Sequence, residues 1–188
     1  MGVPSIKGVA LQFLLDTIEQ RIAEGRIDRA AFESMLVDEE LKILDSEILP
    51  GLWYPIESYG HMLELALKME GRPREQWAEA GFEAARSVLS NEAYGRLVDD
   101  GAKRGKRSGF ALMHIVPLFL NFSSWSYEQD PGDGSVYHVN VTEAESLPRA
   151  LVALLEGVMS YLSLRVRGNR LKVSSERLGP DRILFRAV

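Results

Sequence analysis

SWSYEQDPGDGSVYHVNVTEAESLPRALVALLEGVMSYLSLRVRGNRLKVSSERLGPDRILFRAV, residues 124–188, changes its hydrophobic period twice, and those changes decide the fold class. Ser124-Trp125-Ser126-Tyr127-Glu128 and Val136-Tyr137-His138-Val139-Asn140-Val141 alternate apolar and polar side chains, as half-buried strands do. Asp130-Pro131-Gly132-Asp133-Gly134 between them is rich in turn formers, so the pair reads as a hairpin burying Trp125, Tyr127, Tyr137, Val139 and Val141 on one face. The period then lengthens. Leu147, Leu151, Leu154, Leu155, Val158, Met159 and Leu162 form one helical stripe, with Ser146 placed to cap it ahead of Pro148. Alternation returns in Arg170 to Glu176 and Arg182 to Val188, on either side of the turn formers Leu178-Gly179-Pro180-Asp181. This is a ββαββ module: a three- to four-stranded antiparallel sheet carrying one long helix.

Upstream the pattern is helical. Ile6, Val9, Phe13, Leu14, Ile18 and Ile22 recur at three- and four-residue steps, with Ser5 as N-cap and Gly25 beyond the end. A second helix spans Asp28 to Leu36, and Asp38 caps a third running to Ile48 before Pro50-Gly51 breaks the chain. Trp53-Tyr54-Pro55 leads a helix burying Ile56, Tyr59, Leu63 and Leu67 and ending at Gly71. Pro73 opens the next, whose inner face of Trp77, Ala80, Gly81, Ala84 and Val88 implies small residues against neighbouring helices. A short helix from about Asn91 to Gly101 and an apolar one from Phe110 to Leu120 follow, the latter bent or interrupted at Pro117. The fold class is therefore α+β: a mainly helical part, 1–122, packed on the ββαββ part, 123–188, in one domain of 188 residues.

Composition narrows the function classes. A 46% hydrophobic and 26% charged chain is globular, and its formal charge of −5 argues against generic nucleic-acid binding. Lys103-Arg104-Gly105-Lys106-Arg107 is the local exception, a basic linker able to meet an anionic partner. With no cysteine, disulfide, thiolate nucleophile, cysteine-held zinc and iron–sulfur cluster are all excluded. The chain carries no signal-like start, and its strongest apolar run is too short and interrupted to span a bilayer, so the sequence predicts a cytoplasmic protein without membrane insertion.

No catalytic or metal-ligating constellation emerges. His61, His114 and His138 stand apart, without a pair on one helical turn. Glu57 and His61 share a helix face with Glu64 nearby, an arrangement usual for surface ion pairs and the basis of an enzymatic alternative. His114, flanked by Met113, Ile115, Val116 and Leu118, is either a core histidine or a ligand-binding one, and haem through His114 is the corresponding sensor alternative. The sequence contains no GxSxG elbow, Walker loop or GxGxxG turn. Trp53, Tyr54, Tyr59, Phe110, His114, Trp125 and Tyr137 are the candidate ligand-binding residues, able to line an apolar pocket between helices and sheet.

The order of Ile6-Lys7-Gly8, Leu49-Pro50-Gly51-Leu52-Trp53-Tyr54-Pro55, the hairpin, the Leu147 to Gly157 helix and the closing strands resembles a family of paralogous myxobacterial-type proteins. That family is related to the haem–nitric-oxide-binding, vinyl-reductase-type ligand-binding and TRAPP-like superfamily. The resemblance implies helices on a twisted antiparallel sheet, frequent dimers, and a pocket used by different relatives for haem, aromatic effectors, lipid or partner contact. Two departures bear on cofactors. Zinc-bearing sensors of this type need cysteines, and the haem family's Tyr-x-Ser-x-Arg pattern is missing near Val139 to Glu143. A match does occur at Tyr161-Leu162-Ser163-Leu164-Arg165, but at the end of a helix, where helix-to-strand packing with a basic last turn explains it. The reading is thus a non-enzymatic, homodimeric sensory module that binds a small apolar or aromatic ligand or a protein partner, with no metal and no resident cofactor. A scaffold domain whose aromatics merely fill the core is the other alternative.

Overall fold

The computed structural model describes residues 2–89, 95, 96, 98, 99, 108–130, 132 and 136–188, with the main chain alone at 108–112 and 114. The basic stretch Lys103–Arg107 and most of the expected 91–101 helix lie outside the described residues.

The chain begins with strand β1 (Ser5–Lys7), where the periodicity predicts helix. Ser5 does not cap: its hydroxyl donates to Val3 O at 2.7 Å, while its backbone pairs with Pro55 in β2 (Trp53–Pro55). Helix α1 (Gly8–Ala23) then starts without a capping side chain. Its first N–H groups are met by a distant loop, Gly8 N donating to Leu52 O at 2.8 Å and Val9 N to Pro50 O at 3.1 Å. That approach requires glycine, because a Cβ at Gly8 would lie 2.2 Å from Leu49 O. The two motifs Ile6-Lys7-Gly8 and Leu49 to Pro55 therefore form one joint. Asn121 ties it to the rest of the fold by accepting from Ser5 N at 2.7 Å.

Asp28 caps α2 (Arg29–Ser34), accepting from Ala31 N at 2.7 Å. In α3 (Asp38–Leu44) the capping role falls to Glu40, whose carboxylate accepts from Val37 N at 3.1 Å, and the helix ends before Ile48. Helix α4 (Ile56–Met69) buries Ile56, Tyr59, Leu63 and Leu67, as the stripe predicts. A 3₁₀ turn (Arg74–Gln76), α5 (Trp77–Val88) and α6 (Ser108–Phe119), which continues past Pro117, complete this part.

The ββαββ module consists of β3 (Ser124–Gln129), β4 (Tyr137–Thr142), α7 (Arg149–Arg167), β5 (Val173–Gly179) and β6 (Arg182–Ala187). All four strands pair antiparallel, in the order β3-β4-β6-β5. Trp125 stands opposite Val141 and Tyr127 opposite Val139, which puts the expected residues on one face. Trp125 stacks on Phe185 at 6.0 Å and Tyr127 packs on Tyr137 at 5.4 Å. Fully burying each large apolar chain on this face, such as Phe185 or Ile183, stabilises the fold by about 1.5–3 kcal/mol.

Two module boundaries differ from the sequence reading. Ser146 does not cap α7: extended Pro148 precedes the helix with no side-chain cap, and Arg177 holds the turn before it by donating to the carbonyls of Ala144 at 3.1 Å and Leu147 at 2.9 Å. Strand β5 begins at Val173 rather than Arg170, because Leu171 is held to α7. Ser163 Oγ accepts from Leu171 N and Ser160 Oγ donates to Leu171 O, both at 2.8 Å.

Helices α5 and α7 cross at two glycines. A Cβ at Gly81 would lie 2.0 Å from Leu154 O, and one at Gly157 would lie 1.7 Å from Ala78 O. Buried apolar side chains of the helical part and of the sheet form one continuous cluster. Among the described residues no helix is long and apolar enough to cross a membrane.

Candidate functional site

Beside the close approach of α5 and α7 at their glycines lies a gap on the α1 and α6 side, where α5 presents Ala84, Ala85, Ser87 and Val88. The gap is a cavity of about 420 Å³. Its walls are apolar: Val9 and Phe13 from α1, Ile115, Val116 and Phe119 from α6, Leu151, Leu155 and Val158 from α7. Tyr59 reaches it from α4. Its polar wall residues other than Tyr59 are Gln12, Asp16 and Ser87 among those described. Asp16 and Ser87 are exposed at the rim, and Gln12 donates to Asp16 at 2.9 Å. A cavity of this size falls within the range of about 300–1,000 Å³ usual for small-molecule sites.

A second hollow of about 260 Å³ adjoins it and shares Phe13, Tyr59, Ala84, Ser87 and Leu154. Its far wall is ionic. Glu70, 7% exposed at its side chain, is paired with Arg21 at 2.7 Å and Arg72 at 2.6 Å. Tyr59 thus stands between an apolar chamber and a hollow with an ionic far wall.

Buried in this position, the Tyr59 phenol loses the solvation its anion would need, which pushes its pKa up to about 12. No described residue hydrogen-bonds its hydroxyl. The chamber therefore combines a largely hydrocarbon wall with one neutral O–H donor on a buried residue among those described.

Of the expected aromatic set, the five members with described side chains do not converge, and Tyr59 alone lines the cavity. Trp53 is 41% exposed on β2, where the Lys7 ammonium lies 4.2 Å from its ring. Tyr54 stays at the joint, its hydroxyl accepting from Leu49 N at 3.0 Å. Trp125 and Tyr137 pack within the sheet layer. Phe110 and His114 lie on α6, the helix that lines one wall, with side chains outside the described set. The cavity is thus enclosed mainly by helices rather than lying between helices and the four-stranded sheet. Sequence reasoning missed Val9, Phe13, Val116 and Leu155 as wall residues, since each reads as ordinary core.

The acid–base cluster expected around His61 is differently made. His61 Nδ1 meets the buried Glu40 carboxylate of α3 at 2.8 Å, and Glu64 pairs with Lys68 at 2.7 Å. No group of three His, Asp or Glu side chains suited to a metal ion occurs among the described residues.

Solved structures similar to this chain share one architecture. A variant of the Fe(II) unliganded H-NOX protein from K. algicida aligns with TM-score 0.66 over 96% of this chain and 95% of its own, at 11% identity. A mutant H-NOX from T. tengcongensis gives TM-score 0.55 at 14% identity, covering 96% of each chain. The fold is that of the H-NOX proteins. A third neighbour, solved in work on modulating heme redox potential through protein-induced porphyrin distortion, gives TM-score 0.55 at 16% identity over 96% of this chain and 98% of its own. No protein-family model matches the chain, and no curated protein matches its sequence. At these identities the H-NOX likeness is one of backbone arrangement, and the chemistry of the cavity rests on the residues of this chain.

Proposed function

We propose that this chain is a non-enzymatic sensory module of the H-NOX fold, holding a small apolar or aromatic molecule in the helix-lined cavity and acting on a protein partner through a homodimer surface. The observation that carries this reading is the 420 Å³ cavity with apolar walls and a single buried polar side chain, Tyr59, among the described residues. A ligand differing in affinity between two arrangements of the surrounding helices would shift their populations, which is all a sensor requires.

Haem is the cofactor that the neighbours bring to mind, and the described wall of the cavity offers its propionates no cation. Its two propionates call for cations or several hydroxyl donors. The described wall of the large cavity carries no Lys or Arg, and the charged group at its rim is Asp16. The Tyr-x-Ser-x-Arg match is engaged elsewhere. Tyr161 packs edge-on against Phe82 at 5.4 Å, Ser163 is fully buried against Leu171 N, and Arg165 pairs with Asp99 at 3.0 Å. The proposal therefore names an uncharged ligand and treats haem as an arm of the test.

Native mass spectrometry of the purified protein, followed by thermal-shift assays with hemin, small aromatics and short acyl compounds, tests the reading. A retained apolar molecule or stabilisation by the aromatics is the expected result. Stabilisation by hemin alone, with a Soret band, would replace it with a haem sensor, and no response to any compound would favour a scaffold.

A further inference from the structure

Tyr59 is 7% exposed, borders both hollows, and receives no hydrogen bond from any described residue. A hydroxyl without a protein partner in a nearly buried residue is met by water or by a bound molecule. The other polar side chains described in the large cavity cannot play the same part. Asp16 and Ser87 lie at the exposed rim, and Gln12 is engaged with Asp16.

The helix sets where the ring sits. Tyr59 lies on the buried stripe of α4 one turn beyond Ile56 and one turn before Leu63, so the helix directs the phenol inward before any ligand arrives. Desolvation keeps it neutral, and a neutral phenol offers one O–H. What complements it is an oxygen acceptor at the edge of an otherwise apolar molecule.

We propose that the Tyr59 hydroxyl is the polar anchor of the cavity, selecting apolar molecules that carry one carbonyl oxygen, in class an aromatic ketone or aldehyde, over hydrocarbons of the same shape. This inference rests on the ligand-binding reading of the cavity and adds its selectivity. Affinity comes from the apolar walls and orientation from the phenol, because an uncharged hydrogen bond adds little net energy but penalises a ligand that leaves the donor unmet.

The test uses acetophenone and α-methylstyrene, which differ only in replacing the carbonyl oxygen by a methylene group, with binding to wild-type protein and Tyr59→Phe followed by calorimetry. Tyr59→Phe is expected to lower the preference for acetophenone over α-methylstyrene about fivefold, weakening the first and tightening the second. If both probes bind and the substitution leaves their affinity ratio unchanged, the anchor is overturned and the cavity reading stands. If neither probe binds the wild type, the two fall together. A second readout needs no variant. The infrared carbonyl band of bound acetophenone should move to lower frequency than in hexane, and an unmoved band would overturn the anchor even if Tyr59→Phe failed to fold.

Discussion

Tyr59 places an ionisable group where its charge cannot be solvated, and this makes the stability of the fold depend on pH in an alkaline window. Its pKa rises from 10.0 to about 12, so the folded state holds its proton more tightly than the unfolded chain. The stabilisation is therefore complete below about pH 10 and lost as pH climbs toward 12, amounting at most to about 3 kcal/mol. Urea denaturation at pH 9 and pH 11.5 should show this loss in wild type and a smaller one in Tyr59→Phe. Equal losses would mean that the phenol is not buried as described. A different kind of residue effect operates at Glu40, 3% exposed, where one carboxylate serves both the Val37 N–H and His61. Sequence spacing suggested Glu57 for His61 because helical neighbours at i, i+4 are visible in a string of letters. A partner on another helix, twenty-one positions earlier, is not.

At the scale of elements, the crossing of α5 and α7 depends on the absence of two side chains. Gly157→Ala would drive a methyl group into Ala78 O, and overpacking against backbone of this kind costs about 3 kcal/mol. Chemical denaturation should register that loss, whereas Gly51→Ala, where a Cβ meets nothing within 4 Å, should be near neutral. A Gly157→Ala protein of wild-type stability would contradict the packing described. The elements legible in the sequence were those whose pattern repeats often enough to show. Strands β3, β4 and β6 and helix α7 each display their period several times over. Strand β1 is too short for alternation to register, and its partner β2 is remote in sequence, so Ile6 read as the first residue of a helical stripe. The start of α1 was hidden for the same reason, since the Leu49 to Leu52 loop supplies its cap.

At the scale of the molecule, the α+β architecture was legible and the site was only partly so. Aromatic side chains mark burial well, as Tyr59 and Tyr137 show, but a cavity forms where helices fail to touch, which no composition records. Trp53 was selected for its chemistry, yet it packs on a lysine at the surface. Tyr59 was selected on the same grounds and lines the chamber, because α4 happens to point it there. The central claim, that this H-NOX fold keeps an apolar chamber for a small uncharged molecule, is most directly tested by soaking crystals of the protein with bromobenzene and measuring anomalous diffraction. The account predicts a bromine peak within the chamber bordered by Tyr59, Ala84, Val116 and Leu155. A chamber closed by repacked side chains, with no peak or with bromine only at the surface, would contradict it.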